Sequence, residues 1–202
     1  MAIEPFPAIA PSTFSFGIRF NTQINVSPLS GAVQTIEIPG ARWVADMTFT
    51  NLDRSETREL VSFLAKLKGS SGRFYLTDKS HPVQLGNPGS SLPVVLGANQ
   101  TGSTLNTEGW EAGGNNLLLP GDYIEVNNEL KVITEPVTPI TGGLATINFS
   151  PPLRRSPPDN TSIIIADATP KVIMMLSDNE HQWATDNSAY FSNLSLSCAE
   201  AF

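Results

Sequence analysis

Two octapeptides one hundred positions apart hold the side chains best suited to chemistry. Residues 74–81 read FYLTDKSH and residues 174–181 read MMLSDNEH, so each has Leu, a small hydroxyl residue, Asp, and a His three positions after the Asp. Two carboxylates and two imidazoles, Asp78, His81, Asp178 and His181, would form a divalent-metal ligand set if the two segments ran side by side with matching ends. The competing explanation is turn chemistry, because an Asp at a strand end commonly accepts a hydrogen bond from the backbone two residues on. Beyond this pattern the search is negative. There is no nucleophile elbow, no HExxH, no paired-Cys motif and no phosphate loop. The sequence GSSGRF has neither the Lys nor the following helix that a phosphate cradle needs. A metal-dependent hydrolase is therefore the weakest reading, and the expectation is a non-enzyme with no catalytic residues, no cofactor and no resident metal.

Two other residue sets deserve the same test. Trp43, Trp110 and Trp183 could offer aromatic faces to a sugar, but they lie in three separate segments. The expectation is packing, with Trp43 and Trp183 in the core near a helix. Cys198 is the only cysteine, so it cannot form an internal disulfide or supply a zinc site alone. The N-terminal MAIEPFPAIAPSTF lacks a basic flank and an uninterrupted apolar run, so no signal peptide is expected. No stretch approaches the roughly 20 apolar residues of a bilayer span, and a soluble protein without membrane insertion is expected.

The elements that would carry these residues are mostly strands. One segment is helical: in NLDRSETRELVSFLAKLKGSSG, Leu60, Phe63, Leu64 and Leu67 repeat at i, i+3, i+4, i+7. Asp53 and Glu56 have capping-box spacing, Lys66 and Lys68 suit the C-terminal end of the dipole, and Gly69 suits a left-handed stop. The spacing predicts a helix over about 54–68. STFSFGIRF alternates Phe14, Phe16, Ile18 and Phe20 as a half-buried strand, VQTIEI and RWVADMTFT follow around Pro39–Gly40, and GRFYLTD comes after the helix.

From residue 80 the composition shifts to short strands broken by Pro and Gly. DYIEV-NN-ELKVI reads as a hairpin with Asn127–Asn128 in the turn, and LATINF and TSIIIA are further strands. About five or six short strands in this stretch are enough for a small barrel of OB type or a sandwich. After Pro170, KVIMMLSDNEHQW and YFSNLSLSCAEAF return to the earlier style. The fold class expected is mainly β: a small β-sheet or sandwich domain with one flanking α-helix (1–79 plus 170–202), carrying an inserted small β-barrel, OB-like, at 80–169.

Charge narrows the partners. The 202 residues carry a formal net charge of −7, which disfavours specific nucleic-acid binding. The cationic runs, KLK at 66–68 and LRR at 153–155, read as a helix end and solvated residues. Only 15% of residues are charged, against about 25% in ordinary domains, so the surface is Asn, Ser, Thr and Gly, as suits contact with other proteins.

The run SPLSGAVQTIEIPGARWVADMTFTNLDRSETRELVSFLAKLKGSSGRFYLTD resembles tail proteins of long-tailed bacteriophages. The features that carry this are SPLSG, PGARW, FLAKLKG and GRFYLTD. LLLPGDYIEVNNELKVI, PPLRRSPPDN and the ending MMLSDNEHQWATDNSAYFSNLSLSCAEAF resemble the same group, so most of the chain is covered. The family it is most similar to is the distal tail proteins, the tail-tip ring that joins the tail tube to the tip or baseplate. The resemblance implies a structural virion protein: a β domain with one helix, forming a homo-oligomeric and usually hexameric ring, with a peripheral OB- or galectin-like barrel. Implied partners are the tail tube protein, tail-tip hub or baseplate proteins and the tape-measure protein, in a virion tail assembled in the host bacterial cytoplasm. It implies no active site, and an acidic chain would suit a channel that DNA crosses without sticking. Alternatives are another tail ring, a tube or terminator protein, or a carbohydrate-binding module contacting the host surface.

Overall fold

The computed structural model describes residues 3–79, 84–111, 116–165, 170–185 and 191–202. They form a mainly β structure with one α-helix, as the sequence predicts. The first sheet takes its strands from both ends of the chain: β1 (Ile3–Pro5), β2 (Thr13–Arg19), β5 (Arg42–Phe49), β6 (Arg73–Leu76), β13 (Val172–Leu176), β14 (Ala184–Thr185) and β15 (Phe191–Glu200). Its order is β1-β6-β13-β15-β5-β2, with β14 on β15. Among the described residues only β1 and β6 pair in parallel.

Alternation decides which face of this sheet is core. Ala45, Met47 and Phe49 on β5 stand opposite Cys198, Leu196 and Leu194 on β15; all six are buried, as is Trp43 at the start of the same row. Phe74 and Leu76 stand opposite Met174 and Val172 and complete the row. The opposite face is hydroxyl-rich: Ser197 donates to Asp46 at 2.7 Å, and Thr48 and Ser195 lie 3.3 Å apart.

The helix α1 (Arg54–Leu67) covers the core face. Its start is the predicted capping box: Asp53 Oδ1 accepts from the N–H groups of Ser55 (2.7 Å) and Glu56 (2.8 Å), and Glu56 accepts from the Asp53 N–H (3.0 Å). Leu60, Phe63, Leu64 and Leu67 are its buried stripe. Phe63 meets Phe6 and Phe74 edge-on at 5.3 and 5.5 Å, a geometry that suits the ring quadrupoles. The helix stops through two consecutive positive φ angles, Lys68 at 53° and Gly69 at 67°. A Cβ on Gly69 would lie 2.7 Å from Asn179 Oδ1, the atom that accepts the Ser70 N–H at 3.0 Å. Gly69 is thus required by backbone conformation and by this close approach.

The second sheet comes from the middle of the chain: β7 (Val94–Val95), β8 (Gly102–Glu108), β9 (Tyr123–Val126), β10 (Glu129–Ile133), β11 (Ala145–Leu153) and β12 (Ile163–Ile164). Its order, β12-β9-β10-β11-β8-β7, is antiparallel throughout. The two ends meet: the Ile163 N–H donates to Pro93 O and the Val95 N–H to Thr161 O, both at 2.9 Å, nearly closing a barrel. An OB fold has five strands, and the described residues of this barrel form six. Leu105, Ile124, Val126, Ile147, Phe149 and Trp110 fill its interior. Asn127 and Asn128 turn the β9–β10 hairpin with φ of 51° and 64°, as their sequence predicts.

A third, two-stranded sheet, β3 (Thr22–Val26) with β4 (Val33–Glu37), extends the β2–β5 hairpin outward. The second of these strands is expected from VQTIEI; the first is not.

The register explains how the barrel segment joins the first sheet. Leu76 pairs with Val172 and Phe74 with Met174, so FYL and MML are antiparallel neighbours. The chain leaves from the end of one strand and returns at the start of its partner. Leu60 has no exposed surface, so Leu60→Ala should lower unfolding free energy by about 3 kcal/mol in a urea titration, through lost burial and a residual cavity.

Candidate functional site

The antiparallel register separates the carboxylates that the repeat could have brought together. Asp78 follows the end of β6, level with residue 170 on its partner, whereas Asp178 lies eight residues further along, roughly 26 Å at strand rise. The two ends of the repeat do not converge. Asp78 is instead buried and accepts the Tyr123 hydroxyl at 2.9 Å, while Asp178 is exposed and His181 half-buried. His81 lies outside the described residues. Among the described residues no three His, Cys, Asp or Glu side chains are grouped to hold a metal ion.

The tryptophans also part company. Trp43 is core, stacked on Phe16 at 5.0 Å and edge-on to Tyr123 at 5.6 Å. Trp110 is buried in the barrel, its Nε1–H donating to Thr107 Oγ1 at 2.7 Å, so it offers no face to a sugar. Trp183, expected in the core, is 46% exposed. Cys198 is buried, and burial pushes its thiol up to about 12.

Two features that the motifs did not single out stand out in the structure. The first is a buried polar junction between barrel and first sheet. Arg154, expected as a solvated residue of LRR, forks its guanidinium onto the Glu200 carboxylate, with Nη2 to Oε2 at 2.7 Å, and also donates to Ala41 O. Glu200, itself buried, accepts the Trp43 N–H at 2.9 Å. Trp43 Nε1–H reaches back to Leu130 O of β10 at 2.8 Å. Behind them Lys131, with no exposed surface, donates to Glu129 Oε2 at 2.7 Å and to Pro152 O at 2.9 Å. The same Glu129 carboxylate accepts the N–H groups of Arg154 and Arg155 at 3.1 and 3.2 Å, fixing the loop that carries Arg154. Burial lowers the Lys131 ammonium against the pull of Glu129, and it raises the Glu125 carboxyl, which accepts the Lys171 N–H at 3.0 Å. The sequence signal for this junction was the Pro-bracketed PPLRRSPP, a stiff loop that holds an arginine in place.

The second feature is the β3–β4 ribbon. Every residue of both strands is exposed. Pairing puts Ile24 opposite Thr35 and Val26 opposite Val33 on one face, with Gln23 opposite Ile36 and Asn25 opposite Gln34 on the other. By two-residue alternation the Ile24–Val26 row continues the Phe14, Phe16, Ile18 row of β2, which packs on the core. In β2 this row packs on the core, whereas in the ribbon Ile24, Val26 and Val33 are all exposed. Where the ribbon leaves the body there is a cavity of about 520 Å3, bounded by Phe20, Ile38, Pro39, Leu153, Arg154 and Phe202. The Phe202 ring lies 4.2 Å from the Arg154 guanidinium and 5.1 Å from that of Arg42.

No protein-family model matches this chain, and a search of curated proteins finds no match either.

The junction makes two quantitative expectations. Arg154→Ala strands the buried Glu200 carboxylate and should lower unfolding free energy by about 3 kcal/mol, with a larger radius of gyration in small-angle scattering as the barrel loosens. Glu125 has a raised folded-state pKa, so the folded chain takes up a proton at higher pH than the unfolded chain. Stability tied to this group is full below the ordinary Glu value and is lost as pH rises through the folded value. Glu125→Gln, which keeps a carbonyl for the Lys171 N–H, should therefore be more stable than the parent at pH 7, and that gain should vanish near pH 4.5. Denaturant midpoints at the two pH values check this.

Proposed function

We propose that this chain is a structural, ring-forming protein of a bacteriophage tail tip, the distal ring between tail tube and tip or baseplate. The observation that carries the reading is the ribbon: an amphipathic two-stranded arm whose apolar face continues the core and is covered by nothing in a single chain. Exposed apolar surface of this kind is the signature of an obligate contact. The sequence resemblance described above points the same way, through SPLSG at the ribbon tip and PGARW where it rejoins the sheet. The barrel between β6 and β13 favours a distal ring over a bare tube or terminator ring, since some members of that family carry such a barrel at the periphery. The burial of Trp110 removes the aromatic platform on which a carbohydrate-binding module would rest.

In this role the protein works by geometry. The first sheet and its helix are the rigid block that is repeated around the ring, the ribbon is the connector, and the junction holds the barrel at a fixed angle on the block. The channel they surround would pass DNA and the tape-measure protein. A net charge of −7 lowers the affinity of any such wall for phosphate.

Light scattering with negative-stain microscopy tests the assembly. The expected result is a closed ring near six times 21.7 kDa with knobs outside a central hole. A species that stays at 21.7 kDa both alone and when mixed with tail tubes lacking this protein would overturn the reading.

A further inference from the structure

Resting on the ring reading, we infer that the ribbon tip, headed by Leu29, seats in the cavity at the ribbon root of a second copy, so that each protomer gives one knob and offers one hole.

The tip is preformed. The Gly31 N–H donates to Ser27 O and the Ser27 N–H to Ala32 O, both at 2.9 Å. Ser27 and Ser30 hydroxyls accept the N–H groups of Ser30 and Ala32. Gly31 supplies the positive φ, 68°, that this turn needs. On this fixed frame Leu29 is 99% exposed. A rigid turn with a bare leucine at its apex has already met the ordering cost that usually weakens a loop contact.

The cavity matches the knob in size and character. Its volume of about 520 Å3 exceeds what one leucine fills, leaving room for the flanking Pro28, and Phe20, Ile38, Pro39, Leu153 and Phe202 make its wall mainly apolar, with Glu37, Arg154 and Arg155 also lining it. Arg154, the cation nearest its floor, is already neutralised by Glu200. The occupant cannot be the chain's own tip. From Asn21 to Leu29 the ribbon spans eight residues, roughly 26 Å, and its paired strands hold it away from its own root.

Charge and area select a second copy. Each chain carries −7, so two copies can meet only where that charge is absent or opposed. Residues 20–36 contain no ionisable side chain, and the receiving cavity carries Glu37 and Arg155, of opposite sign, so the contact sets no like charges against each other. Ile24, Val26, Leu29 and Val33 together leave on the order of 500 Å2 of apolar surface open, more than the few hundred Å2 ordinary for a monomer. That is over half of the roughly 800 Å2 that each partner of a standard interface contributes. A knob and a hole at different places on one chain make a head-to-tail contact, which closes into a ring when its rotation divides a full turn.

The test couples chemistry to assembly state. A chain carrying both Leu29→Cys and Ile38→Cys should give a ladder up to the full ring with a short bis-maleimide. Each single variant should not. Cys198 stays silent because it is buried. Leu29→Asp, at a fully exposed position that leaves the fold alone, should weaken association about tenfold or more, and adding Ile38→Lys should restore it. Rings of full mass with no ladder and no response to Leu29→Asp would overturn the knob-and-hole contact while leaving the ring reading intact. A double variant that remains monomeric and gives no ladder, with a parent that also never assembles, would overturn both. A cross-link from the tip to tail tubes and not to a second copy would also overturn the contact.

Discussion

The carboxylate of Glu200 is the point on which the two halves of this molecule turn. It sits at the end of β15, in the middle of the first sheet, and takes the guanidinium of Arg154 from the far end of β11. A buried ion pair of this kind contributes little net stability over an apolar pair of the same shape, because desolvation offsets the attraction. What it contributes is geometry. The planar fork of Arg154 fits one orientation of the carboxylate, and the third bond to Ala41 O sets the rotation. Beside it Trp43 packs edge-on to Tyr123 and donates to Leu130 O, two further links between sheet and barrel. The barrel is thereby held as a rigid extension of the sheet.

The ribbon obeys a different rule. Inside the sheet, Phe14, Phe16 and Ile18 of β2 pack against the core. Past Phe20 the alternation persists but the support ends, and Phe20 itself is 56% exposed. Nothing in the local sequence distinguishes Ile24 from Ile18; the difference is what lies underneath. An isolated two-stranded ribbon is marginal in water, so its order depends on continuity with the β2–β5 hairpin at one end and on the hydrogen-bonded Ser27–Gly31 turn at the other.

This contrast explains how far the sequence was legible. The helix, its capping box and its buried stripe were visible because their signals are local and periodic. The Asn127–Asn128 hairpin and the alternating strands were visible for the same reason. The TQINV strand was not, since it carries only two apolar residues among three polar ones. The FYLTD and MMLSD segments were identifiable as strands but not as an antiparallel pair, and direction is what keeps Asp78 and Asp178 apart. The junction was least legible of all: Glu200, Trp43, Lys131 and Arg154 are distant in sequence, and none has a spacing signature. The prolines around LRR are the one local signal, and reading LRR as solvated passed over it.

One consequence of the strand register reaches beyond this molecule. Because Leu76 and Val172 are hydrogen-bonded neighbours, the two cut points for the barrel lie about 5 Å apart. A tight reverse turn could bridge that gap, and so could any module whose termini emerge side by side. The first sheet is in this sense a socket with a single two-pronged outlet. Evolution could exchange what is plugged into it without rewiring the block, given new polar partners for Glu200, Asp78, the Trp43 indole and the Lys171 N–H.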